Sequence, residues 1–139
     1  MSFSSIYDIA GSGMNAQSIR LNTVASNLAN ADVVSGSEQD GYRAKYPVFE
    51  TVFSDLNANA MTALVKVEDV IESSEPLQRR YEPNHPLANN EGYVFASSVN
   101  PIEEMADMMA ASRSFETNVD VMNRARSMQQ SVLRLGQSS

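Results

Sequence analysis

From Met105 to Leu135 an apolar residue recurs at every third or fourth position: Met105, Met108, Ala111, Phe115, Val119, Met122, Ala125, Met128, Val132 and Leu135. That period fits one face of an α-helix and not the alternation of a strand. The flanks agree. Asn100 is a good N-cap, Pro101 suits the first helical position, and Glu103 stands where a capping box wants an acid. Glu103, Glu104 and Asp107 crowd the first turns while Arg124, Arg126 and Arg134 come late, both favourable to the helix dipole. Gly136 is read as the residue that ends the helix. The stripe spans ~45 Å at 1.5 Å per residue.

A second stripe lies at the other end. Phe3, Tyr7, Ala10, Met14, Gln17, Leu21, Val24, Leu28 and Ala31 alternate gaps of four and three, a heptad-like seam with one polar interruption at Gln17. It predicts a helix over residues 5–31, ~40 Å long. Gly11 and Gly13 weaken its first third by ~1 kcal/mol each relative to alanine. They either fray that turn or admit a neighbour's backbone. Two stripes of matched length can pair as a parallel or an antiparallel coil. Each also has apolar surface left over for other chains.

Charge divides the sequence at the same places. Residues 1–31 carry one acid and one base, residues 101–139 five acids and four bases, and residues 32–100 eleven acids and five bases. Of the net charge of −7, −6 therefore sits in the middle, and the near-neutral ends can pack in many copies without strong repulsion. A net acidic chain argues against nucleic acid as a partner. Eight methionines suit irregular helix–helix gaps. With no cysteine there is no disulfide, thiolate or Cys-based metal chemistry. No apolar run approaches the ~20 residues of a membrane span, and Met1–Ala10 lacks the pattern of a cleaved secretory signal.

The middle reads as loop and short strands. Ala31–Gly41 is a polar loop. Tyr42–Phe53 is aromatic and β-branched with Pro47 marking an edge or bend. Ser54–Ala63 carries little information and reads as a linker. Val65–Ile71, Gln78–Glu82 and Gly92–Phe95 suit short strands, and Glu82–Pro86 is a rigid turn. The expected fold is mainly α: an N-terminal helix in 1–31, a loop with a small irregular β-hairpin insert in 32–100, and a C-terminal helix in 101–139.

Chemistry is sparse. His85, the lone histidine, sits between prolines without a second soft ligand. Glu68-Asp69 and Glu103-Glu104 are adjacent acids whose side chains diverge in strand or helix. Gly11-Ser12-Gly13 lies inside a helical pattern, not after a strand. The expectation is no enzyme, no cofactor, no metal and no small-molecule substrate. Asn15, Asn22, Asn27 and Asn30 are poor helix formers. They either line a solvated face or bond across subunit contacts, where a buried amide fixes register.

Ala25-Ser26-Asn27-Leu28-Ala29-Asn30-Ala31 closely resembles the N-terminal signature of the flagellar axial family of rod, hook and hook–filament junction proteins. Tyr42-Arg43-Ala44-Lys45, Tyr81–Pro86 and Glu91–Val94 resemble the signatures of its short proximal-rod members, and Val99–Asn123 the family's C-terminal helix. Asn84 departs from a common glycine and Phe115 from a common tyrosine. The resemblance implies a structural subunit of the proximal rod that assembles helically, transmits torque and encloses the export channel. It implies export without a cleaved signal, assembly in the periplasm, and terminal helices that order on assembly. The implied partners are further copies, other rod proteins, the adaptor to the MS ring and export gate, and the distal rod. It does not imply an integral membrane protein. Assembly contacts are expected at Leu21, Val24, Asn27, Leu28, Asn30, Met105, Met108, Phe115, Val119, Met122, Val132 and Leu135. A soluble adaptor binding one partner helix through the same stripes, or another short rod subunit, are the competing readings.

Overall fold

The computed structural model describes residues 2–55 and 61–137. Helix α1 runs Phe3–Ala29, two residues earlier at each end than the periodicity suggests. Ser2 caps its start by accepting from the Ser4 N–H, and the Asn30 side chain donates back to the Ser26 carbonyl at 2.8 Å. The helix is unbroken through both glycines. A Cβ at Gly13 would stand 3.0–3.2 Å from the Asn118 amide group, whereas at Gly11 it would meet nothing within 4 Å. Only Gly13 therefore admits a close neighbour, and that neighbour is within the chain.

Among the described residues five strands follow: β1 Val34–Ser35, β2 Lys45–Asp55, β3 Met61–Glu72, β4 Gln78–Tyr81 and β5 Tyr93–Ala96. Helix α2 closes the fold over Pro101–Gln137. The Asn100 side chain caps it by accepting from the Ile102 N–H at 3.2 Å. Gly136 lies inside α2 and does not end it. Among the described residues only Gly92 takes a positive φ, so Gly136 lacks the left-handed conformation with which a glycine ends a helix.

The expectation of a mainly α chain with a small hairpin insert is overturned. The helices flank a β-rich middle holding two antiparallel sheets, β1-β5-β4 and β2-β3. The β2–β3 pairing runs from Lys45↔Glu72 to Asp55↔Met61, with a register shift at Val48/Phe49 that leaves Glu68 as the extra residue. At 3.3 Å per residue this ribbon is ~35 Å long, nearly the length of α1. Two features conceal the extent of the β structure in the sequence. The ends of the expected linker 54–63 belong to strands, with 56–60 outside the described residues, and β1 hides in a loop composition. The ribbon lies along α1, where the Val65 N–H donates to Ser12 Oγ at 3.2 Å.

The helices pair antiparallel. Arg20 meets Asp107 at 2.8 Å near one end, and Tyr7 Oη donates to Gln129 Oε1 at 3.1 Å near the other. α1 has 27 residues and α2 has 37, so beyond Gln129 the last turns of α2 run past the start of α1. Buried apolar side chains among the described residues are Ala10, Ala16, Val24, Ala44, Leu77, Val94, Val99, Ala111 and Ala125. Most are alanines, and none is aromatic or methionine. The accessible surface is 9607 Å², against about 7,100 Å² for a compact monomer of this mass. The isolated chain is elongated and thinly cored.

Candidate assembly interface

The residues expected at assembly contacts fall into three groups. Val24 and Asn27 are buried within the chain itself, at 3 % and 0 % exposure. Leu21, Leu28, Asn30, Met108, Phe115, Val119 and Met122 are half-buried along the helix pair. Met105, Val132 and Leu135 stand well exposed, at 55 %, 58 % and 71 %. Ile102, Met109 and Leu133 are exposed to a similar degree and lie off the single stripe that the spacing picks out. Ile102, Met105 and Met109 repeat at gaps of three and four, so a search for a second stripe would have found them. α2 is thus apolar on more than one face, the pattern of a helix covered on several sides.

The ribbon adds apolar surface of its own. Phe49, Val52 and Phe53 on β2 and Val65, Val70 and Ile71 on β3 are all exposed. A lone monomer rarely shows this much large apolar surface on several elements, and such surface marks contact with other chains.

The asparagines of α1 divide between the two readings. Asn15 and Asn22 are exposed, and Asn30 caps the helix. Asn27 does neither. Its Nδ2 donates to the Lys45 carbonyl at 2.8 Å and to Glu104 Oε1 at 3.0 Å. Its Oδ1 accepts from the Lys45 N–H at 2.9 Å and from Tyr42 Oη at 3.1 Å. Every hydrogen-bonding valence of the amide is filled, and three elements meet there: the last turn of α1, the first turn of α2 and the first residue of β2. Ser26 Oγ shares the Tyr42 hydroxyl at 3.2 Å.

Glu104 is 4 % exposed. Burial pushes its carboxyl above the ordinary glutamate range, the Asn27 bond partly offsets this, and the nearby Asp107 and Glu103 charges raise it further. The Tyr46 phenol is raised as well, by burial and then by Glu104 and its acidic neighbours. A carboxyl raised in the folded state stabilises the fold fully below its unfolded value, and that contribution fades as pH rises through the folded value. Glu104→Gln keeps an oxygen to accept from Asn27 and removes the charge. The variant is expected to melt higher than the parent at neutral pH, with the gap closing in acid. A gap equally wide at pH 4 and pH 7, followed by far-UV circular dichroism, would contradict this account.

Antiparallel terminal helices around a core of mostly alanine, with a β-ribbon alongside and apolar side chains left outward on both, define a structural subunit built to be completed by neighbours. The comparisons agree with that class. Residues 8–36 match the family described as flagella basal body rod protein, and residues 90–135 match the flagellar basal body rod FlgEFG protein C-terminal family. The flagellar basal-body rod protein FlgC of Escherichia coli O6:H1 is 49 % identical over 99 % of this chain and 100 % of its own length. That of Salmonella typhimurium is 47 % identical over the same shares, and that of Bacillus subtilis 32 % identical over 93 % of this chain and 95 % of its own. The chain belongs to the FlgC family of flagellar basal-body rod proteins and is a structural subunit of the flagellar rod. Among the described residues no helix is long and apolar enough to cross a membrane.

Proposed function

We propose that copies of this chain assemble with other rod proteins through the outward apolar faces of α2 and the β2–β3 ribbon, building the proximal rod around the export channel and carrying torque. The observation that carries this is the thin core. Its buried apolar side chains are mostly alanine, while Ile102, Met105, Met109, Val132, Leu133 and Leu135 of α2 remain exposed. Neighbouring subunits would cover them, so helix order and polymerisation are coupled. Near-neutral helices and an acidic middle suit an inner helical tube with the β part outward. The proposed partners are other rod subunits, the adaptor toward the MS ring and export gate, and the distal rod. The proposed site is the periplasm, reached by export without signal cleavage. The chain acts as scaffold and not as an enzyme.

Amide hydrogen exchange tests the coupling. The two helices are expected to be only marginally stable in the dilute subunit, so residues 3–29 and 101–137 exchange faster there than in purified basal bodies. Equal, strong protection in both states would favour a self-sufficient adaptor. A density map of the intact basal body identifies the neighbours.

A further inference from the structure

We propose that Asn27 is the positioning residue of the subunit, the one contact through which docking of α2 on α1 fixes the angle of the β2–β3 ribbon to the helix pair. This rests on the reading that helices and ribbon both present assembly surface, since only then does their relative angle matter.

The geometry is specific to asparagine. The Asn27 amide faces the Lys45 backbone with a donor to its carbonyl and an acceptor for its N–H, 2.8 and 2.9 Å away. It thereby extends the edge of β2 as a paired strand would, and this pair fixes which end of the amide carries nitrogen. The remaining Nδ2 proton points to Glu104 Oε1 at 3.0 Å, on α2. Aspartate has the right length and no donor, and glutamine has the donor and one methylene too many. Other ties hold single parts of this arrangement. Ala44 N–H to Ser98 Oγ at 2.9 Å anchors the entry to β2, and Val65 N–H to Ser12 Oγ holds the far ribbon to α1. Neither involves α2. Asn27 and Val94 are the largest fully buried side chains among the described residues, so where a bulky apolar anchor would ordinarily sit this subunit places a directional amide. Packing alone tolerates sliding, whereas four directed bonds do not.

The test exchanges donor and acceptor across the contact, in a flagellated strain where this chain is the sole copy of the subunit. The readout is the amount of each variant in purified basal bodies, relative to the amount exported. Asn27→Asp sets a carboxylate against Glu104 and the Lys45 carbonyl, and incorporation is expected to fall about tenfold or more. Glu104→Gln alone retains an acceptor for Asn27, and its incorporation is the reference against which the double variant is read. In the double variant the glutamine introduced on α2 can donate to the carboxylate introduced on α1, and incorporation is expected to recover by about fivefold or more over Asn27→Asp alone. A third arm separates positioning from stability. Gln17→Leu removes a buried side-chain oxygen that has no hydrogen-bond partner and so stabilises the fold; added to Asn27→Asp it is expected to leave incorporation low. Recovery by Gln17→Leu equal to that by Glu104→Gln, a double variant no better than Asn27→Asp, or normal incorporation of Asn27→Asp would each overturn the proposal. Met105→Asp, placed on the exposed face, checks the underlying reading separately: its normal incorporation would remove that face of α2 from the assembly surface, while a defect in Asn27→Asp rescued by Glu104→Gln would still report the Asn27 contact.

Discussion

Ala111→Leu is expected to abolish motility and to lower the melting point of the isolated chain by several degrees. Ala111 has no exposed surface and lies with Ala10, Ala16 and Ala125 among the buried side chains of the two helices. Alanine at such positions sets the closest interaxial spacing helices adopt, ~8 Å. A leucine at this fully buried alanine adds three heavy atoms between the helices, and overpacking of this kind costs about 1–3 kcal/mol. For most proteins that is tolerable. Here the core is so small that the loss is a large share of the whole. The separation of α1 from α2 would also move both outward faces, so assembly suffers beyond the stability loss. Ala111→Ser, nearly the same size, serves as control and is expected to swim. A motile Ala111→Leu strain with an unchanged melt would mean that the spacing is not set by these alanines.

The helices are legible in the sequence because their signals are local and redundant. Period, cap residues and charge placement on α2 all point the same way, and α1 needs only its 4-3 spacing. The β middle is harder to read. β2 and β3 announce themselves through Tyr46, Val48, Phe49, Val52, Val65 and Val67, but their true length depends on Asp55, Met61 and Ala63, which pair only because their neighbours are already in register. β1 is two residues in a polar loop, held by Val34↔Ala96 and Ser35↔Phe95, and no local composition reports a contact that distant. Asn27 stands out in the sequence as a poor helix former, and both readings of it look outward. A buried amide and a solvated one have the same spacing on a helix, so only the approach of Lys45 and Glu104 distinguishes them. Gln17 is the converse case: the interruption it makes in the apolar seam is visible, and the buried, partnerless oxygen it leaves is the cost.

The double variant Met128→Asp, Val132→Asp is expected to leave the isolated chain's circular dichroism and melting curve unchanged and to eliminate incorporation into the rod. The two residues lie four apart on α2 and share a face. They are 61 % and 58 % exposed, in the stretch where α1 runs out near Gln129. Charges placed there stay in water in the free subunit and cost only the small terms of helix propensity, like-charge repulsion at four-residue spacing and the helix dipole, too little to unfold the chain. In an assembly that covers this face each carboxylate is desolvated without a partner, and two such groups together cost several kcal/mol. The ratio of effects is what discriminates. A variant that destabilises the free chain fails for trivial reasons, whereas one that folds like its parent and is excluded from the rod reports a surface that only neighbours occupy. Normal rods from this variant would mean that the end of α2 faces solvent or the channel lumen in the assembled state. The inter-subunit contact would then have to be carried by Ile102, Met105 and Met109 at the other end of the helix, together with the ribbon.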